Sequence, residues 1–68
     1  MLIKLNIFFK YVVTCVLDNG SSFKNYARNK AELEEFKKDF YECKKELHFV
    51  SHAVVTYWIT GIVADVWL

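Results

Sequence analysis

Leu33, Phe36, Phe40, Cys43 and Leu47 recur at intervals of three, four, three and four residues, and nearly everything between them is Glu, Asp or Lys. At ~3.6 residues per turn this spacing places all five on one stripe of a helix. Asn29 stands ahead of them as an N-cap, with Glu32 three residues on, as a capping box requires. Glu34 and Lys38 form a favourable i,i+4 pair, and Lys44 and Lys45 suit the negative end of the helix dipole. A helix over residues 29–48 with one apolar seam must lie on something. The rest of the chain has to supply it.

The segment before the helix alternates strictly. Ile3, Leu5, Ile7, Phe9, Tyr11, Val13, Cys15 and Leu17 fall on one face, and Lys4, Asn6, Phe8, Lys10, Val12, Thr14 and Val16 on the other. Such a period of two, carried by Val, Ile, Phe and Tyr, is a strand with one buried side. Asp18-Asn19-Gly20 closes a hairpin over residues 2–28. Asn-Gly alone suits a two-residue turn, whereas the three residues together suit a turn with Gly20 left-handed. The three-residue turn is preferred, because it sets Cys15 opposite Phe23 and Tyr11 opposite Ala27. The polar return strand, residues 22–28, reads as an edge.

After His48 the composition changes to Val, Thr, Tyr, Trp and Ile, residues that fit a pleated surface. Residues 54–59 form the densest run, apolar on both faces, and so predict a central strand. Gly61 is read as a bend, with 62–68 continuing the strand past a kink; a fourth strand folding back is the alternative. The prediction is a single α+β domain over residues 1–68: a β-β-α-β(-β) order, an antiparallel sheet and one helix packed on one face. The helix seam should rest on Phe9, Val13, Cys15 and Phe23, leaving the other face with Phe8, Val12 and Val16.

At 68 residues with 54% hydrophobic content, that leftover matters. Apolar burial at ~25 cal/mol per Å2 barely offsets ~1.5 kcal/mol of ordering entropy per residue in a domain this small, so such domains lean on disulfides, metals or partner chains. A monomer rarely exposes apolar patches beyond a few hundred Å2. The domain is therefore expected to be oligomeric, a twofold homodimer formed through a strand edge or the uncovered face. Phe8, Val12, Tyr57, Trp58, Val66, Trp67 and Leu68 are the expected contacts, since Trp and Tyr dominate interface energetics.

Chemical sites are not apparent. Cys43, His48 and His52 form a Cys-x4-His-x3-His spacing that Cys15 would complete to four ligands, but the close cysteine pair of structural zinc sites is missing. His48 and His52 read instead as a helix-end and a strand residue, with no metal and no cofactor expected. The two cysteines read as reduced thiols within the core, a disulfide being the alternative. The only glycines are Gly20 and Gly61, which excludes a phosphate-cradling loop. No activated nucleophile or paired carboxylate stands out, so no enzyme is expected.

Net charge is +1 overall. Its distribution is uneven: residues 1–30 carry five cations against Asp18, whereas residues 31–48 carry four lysines against six carboxylates. A basic hairpin face holding Lys4, Lys10, Lys24, Tyr26 and Arg28 makes nucleic-acid binding the main alternative. A membrane anchor formed by residues 49–68 is a second alternative, weakened by Asp65, His52 and Gly61. At the start of the chain Lys10 interrupts the apolar run, and Thr14 is a poor neighbour for a lipidated Cys15, so no signal peptide is expected. Lysine outnumbers arginine eight to one, and Asn, Ile, Phe and Tyr are frequent. That usage fits an AT-rich genome, such as a low-GC bacterium or one of its phages. The expectation is a cytoplasmic, non-catalytic protein-binding module, self-associating, of the kind a phage or mobile element uses to block a host protein.

Overall fold

The computed structural model describes residues 9–47 and 49–68. Lys4, Phe8 and the first part of the 2–28 hairpin, together with His48, lie outside the described residues. Four strands and one helix follow in chain order: β1 (Tyr11–Leu17), β2 (Ser22–Ala27), α1 (Lys30–Leu47), β3 (Val50–Tyr57) and β4 (Val63–Trp67). The strands form one sheet in the order β2-β1-β3-β4, every neighbouring pair antiparallel. Strands β2 and β3 consequently run parallel with β1 between them, and α1 makes the crossover over one face. The α+β architecture is the expected one.

The first hairpin closes as its residues dictate. The register pairs Cys15 with Phe23 and Tyr11 with Ala27, which leaves Asp18, Asn19 and Gly20 as a three-residue turn. Gly20 takes φ +91°, a conformation that costs other residues about 1–2 kcal/mol. Asn19 Oδ1 accepts the Ser21 N–H at 2.9 Å and holds the loop from inside. Strand β1 begins at Tyr11, later than alternation alone implied. Phe9 precedes it and sets its ring 5.6 Å from Tyr26 instead of resting under the helix.

Helix α1 starts at its expected cap. Asn29 Oδ1 accepts the Glu32 N–H at 2.9 Å, a bond whose loss costs about 1 kcal/mol. Glu32 returns its carboxylate to the N–H of Arg28, not to that of Asn29, because the same carboxylate also meets the Arg28 guanidinium at 3.6 Å. Seam residues Leu33 and Phe40 are buried and Phe36 and Cys43 half-buried against Val13, Cys15, Ala27, Ala53 and Val55. All of these sheet residues share one face by register. Full burial of a side chain such as Leu33 or Phe40 contributes about 1.5–3 kcal/mol.

The C-terminal segment departs from the sequence-based expectation. Residues 62–68 do not continue β3 past a kink; they fold back as β4 on its open edge. Tyr57 and Ile62 are bonded N–H to carbonyl at 2.9 Å, and the Gly61 N–H returns to the Tyr57 carbonyl, also at 2.9 Å. Gly61 at φ +75° permits the reversal. β3 therefore becomes central, as expected, with Ala53 and Val55 fully buried beneath the helix. Its opposite side, carrying His52, Val54 and Thr56, is only half-buried.

Candidate interaction surface

The face that α1 leaves open carries Val12, Thr14 and Val16 from β1, Lys24 and Tyr26 from β2, His52, Val54 and Thr56 from β3, and Val63 and Val66 from β4. Its two ends differ. Towards β2, Tyr26 and Trp58 meet edge to face with ring centroids 5.3 Å apart, and Phe9 packs against Tyr26 from the other side. Val12 lies between the strands bearing these rings and is only 7% exposed. Edge-to-face contacts of this kind cover part of each ring, so the chain's own side chains close much of this end, with Tyr26 still 40% exposed.

Towards β4 none of the described residues covers the apolar groups. Ile59 is 82% exposed, Ile62 63% and Leu68 74%, with Val63 and Val66 about half-exposed beside them. Val63 and Val66 share the open face by register, Ile62 lies opposite Tyr57 on the other side of the sheet, and Ile59 borders a recess with Phe9, Lys10, Tyr11 and Tyr57. Thr60 Oγ1 accepts the Ile62 N–H at 3.3 Å and shapes the turn that presents them.

The backbone edge of β4 is shielded. The Tyr57 N–H bonds β4 at Ile62, and the Trp58 N–H bonds the Lys10 carbonyl. Alternate residues of β3 thus address β4 and β1 in turn. Val66 sits opposite Val54, a β1-addressing residue, and so directs its own N–H outward. Asp65 Oδ1 accepts that N–H at 2.9 Å, while Oδ2 takes the Trp67 indole N–H at 3.2 Å. A carboxylate laid along an open edge discourages strand addition. The exposed apolar side chains remain, and strand pairing is the blunted route.

The expected contact residues are now dispersed. Leu68, Val66 and Tyr57 are exposed and Trp58 half-buried, whereas Trp67 is 1% exposed. Its ring turns towards the helix, 5.7 Å from that of Phe40, because β4 folds back and gives Trp67 the same parity as Ala53. Trp67 therefore belongs to the core, as Val12 belongs to the closed end of the open face. Ile59, Ile62 and Val63 were missed, and the signal that would have found them is Thr60-Gly61 read as a turn. Lys44 was read only as a dipole partner. In the structure its ammonium bonds the Ser51 carbonyl at 3.1 Å and the Leu68 carbonyl, lies 6.0 Å from the centre of the Phe40 ring, and so ties helix, β3 and chain end together.

Of the basic set, Lys10 and Lys24 are exposed and Arg28 is engaged by Glu32. Cys15 and His52 face opposite sides of the sheet, since their β1–β3 partners are Ala53 and Val16; they cannot share a metal. Among the described residues no cluster of three or more His, Cys, Asp or Glu is placed to hold one. Both cysteines are free thiols. Burial pushes the Cys15 thiol above its ordinary pKa, and Cys43 nearby adds to the rise. Among the described residues no helix is long and apolar enough to cross a membrane, and the stretch considered as an anchor forms β3, a turn and β4. Comparison with protein-family models, with curated proteins and with solved structures finds no match to this chain.

Proposed function

We propose that the protein is a non-catalytic interaction module that self-associates through the exposed apolar residues of the β3–β4 hairpin, Ile59, Ile62, Val63, Val66 and Leu68. One observation carries the reading: five large apolar side chains lie exposed within ten residues of sequence. Exposed apolar surface gathered in one place marks a contact site, whereas scattered residues would not. The contact is made by side chains across a twofold axis, because Asp65 blunts the strand edge that backbone pairing would use. A stable dimer needs roughly 800 Å2 buried on each copy, and these residues with the adjoining Val54 side of the open face are where such an area would be found.

We extend the proposal to a second partner, a host protein that the module engages and blocks by the same surface; that extension rests on residue usage alone. Nucleic-acid binding is a second reading with one observation in its favour: Lys10 lines a recess with Ile59 and with Phe9, Tyr11 and Tyr57, rings on which bases would stack.

Sedimentation equilibrium on the wild type and on an Ile59→Ser/Ile62→Ser variant tests the main reading. A wild-type dimer that becomes a monomer in the variant supports it. A wild-type mass equal to one chain throughout a concentration series refutes self-association. Retarded migration of a single-stranded oligonucleotide at low salt, lost on Lys10→Glu, would move the assignment to the second reading.

A further inference from the structure

The two cysteines come from opposite walls of one cavity. Cys15 projects from β1 towards the helix and is buried, while Cys43 lies on the α1 seam one turn beyond Phe40 and is half-buried. Together with Val13, Phe36, Phe40 and Val50 they line a recess of about 350 Å3 between helix and sheet, which opens to solvent past Phe23, Asn25 and Asp39. The groove adjoins both sulfurs, so each side chain has open space on that side rather than packed atoms. Disulfide formation between two elements needs such room, because the bond tolerates only a narrow range of Cβ positions.

We propose that Cys15 and Cys43 form a redox pair, closing to a disulfide across the helix–sheet interface when the protein meets a low-molecular-weight disulfide such as oxidised glutathione. Cys43, the less buried sulfur, reacts first: its thiolate attacks the small disulfide, a mixed disulfide forms on Cys43, and one small thiolate leaves. Cys15 then gives its proton to solvent and attacks the Cys43 sulfur, and the second small thiol departs. Two S–H groups are lost and one S–S bond is gained within the protein. The two electrons reside in the two thiols released from the oxidant. The raised pKa of Cys15 agrees with this order, since a protonated thiol is a poor first nucleophile. The pair sits on the helix side of the sheet, opposite Val63 and Val66, so this chemistry is independent of contact through those two residues.

The test is mass spectrometry of the native wild-type protein after incubation with oxidised glutathione, without reductant. The expected product has lost the mass of two hydrogen atoms, resists alkylation in denaturant, and is restored by dithiothreitol. Cys15→Ser should trap glutathione on Cys43 as a lasting adduct, and Cys43→Ser should leave Cys15 unmodified in the folded chain. A wild-type end product carrying glutathione, a cross-linked dimer, or two thiols still free would each overturn the proposal. The wild-type measurement decides the matter even if a serine variant fails to fold.

Discussion

The two hairpins of this sheet use one device in two ways. Each ends in a glycine at positive φ, Gly20 at +91° and Gly61 at +75°, and among the described residues none beyond the chain neighbours lies within 4 Å of where a Cβ would sit at either. Backbone conformation, not crowding, selects glycine at both. Around that common feature the side chains diverge. The β1–β2 turn carries Asp18, Asn19 and Ser21, all exposed, with Asn19 accepting two hydrogen bonds from Ser21. The β3–β4 turn carries Trp58, Ile59 and Ile62, and two of those three are left in solvent. One loop is finished for water. The other is finished only when something else covers it, which is why the proposed contact surface is placed on the second hairpin.

That contrast can be tested first at the cores of the two hairpins. Trp67 is 1% exposed against Phe40, so Trp67→Ala should destabilise the fold by about 3–5 kcal/mol, read as a lower urea midpoint. Phe23 occupies the corresponding edge position on the first hairpin but is half-exposed. Phe23→Ala should cost roughly half of the ~1.5–3 kcal/mol expected for a fully buried ring. Equal losses would mean that β4 is no more deeply built into the core than β2. At the turns, Gly20→Ala and Gly61→Ala should each cost about 1–2 kcal/mol, with Asn milder at either site. Thermal melts that show only one glycine to be sensitive would break the equivalence of the two reversals.

How far each hairpin could be read from the chain follows the same division. Asn19-Gly20 between polar neighbours is a local signal, and it brought the register of β1 and β2 with it. The helix was equally legible, since Asn29, Glu32 and the seam from Leu33 to Cys43 act within a few residues of one another. Gly61 gave no such notice. Between Thr60 and Ile62, in an otherwise strand-like run, it resembles an interruption in one long strand, and only the positive φ and the Tyr57–Ile62 pairing distinguish reversal from bend. The misjudged place of Trp67 follows directly: its side of the sheet depends on β4 folding back and on the register shift between Val55 and Thr56. Lys44 was obscure for a different reason, because its partners Ser51 and Leu68 are joined to it by tertiary structure alone. Of the candidate surface, Val66 and Leu68 were legible as apolar residues near a chain end, whereas Ile59, Ile62 and Val63 became visible only with the turn.

The smallest expected change in folding stability carries the most information about contact. Ile59→Ser and Ile62→Ser remove side chains that are mostly in water, and substitutions at such positions ordinarily lie within about 0.5 kcal/mol of neutral. Asn19→Ala on the first turn removes the acceptor of two hydrogen bonds and should destabilise the chain by more than either, at about 1 kcal/mol for two exposed bonds. If the turns differ only in sequence, the urea midpoints will rank in that order and the sedimenting mass will be the same for all three variants. If the second turn is a contact surface, the mass falls to that of one chain for the two isoleucine variants alone, and their urea midpoints lose the dependence on protein concentration that association gives the wild type. Stability and association would then be separable within a single hairpin, the former resting on Trp67 and Gly61 and the latter on Ile59 and Ile62.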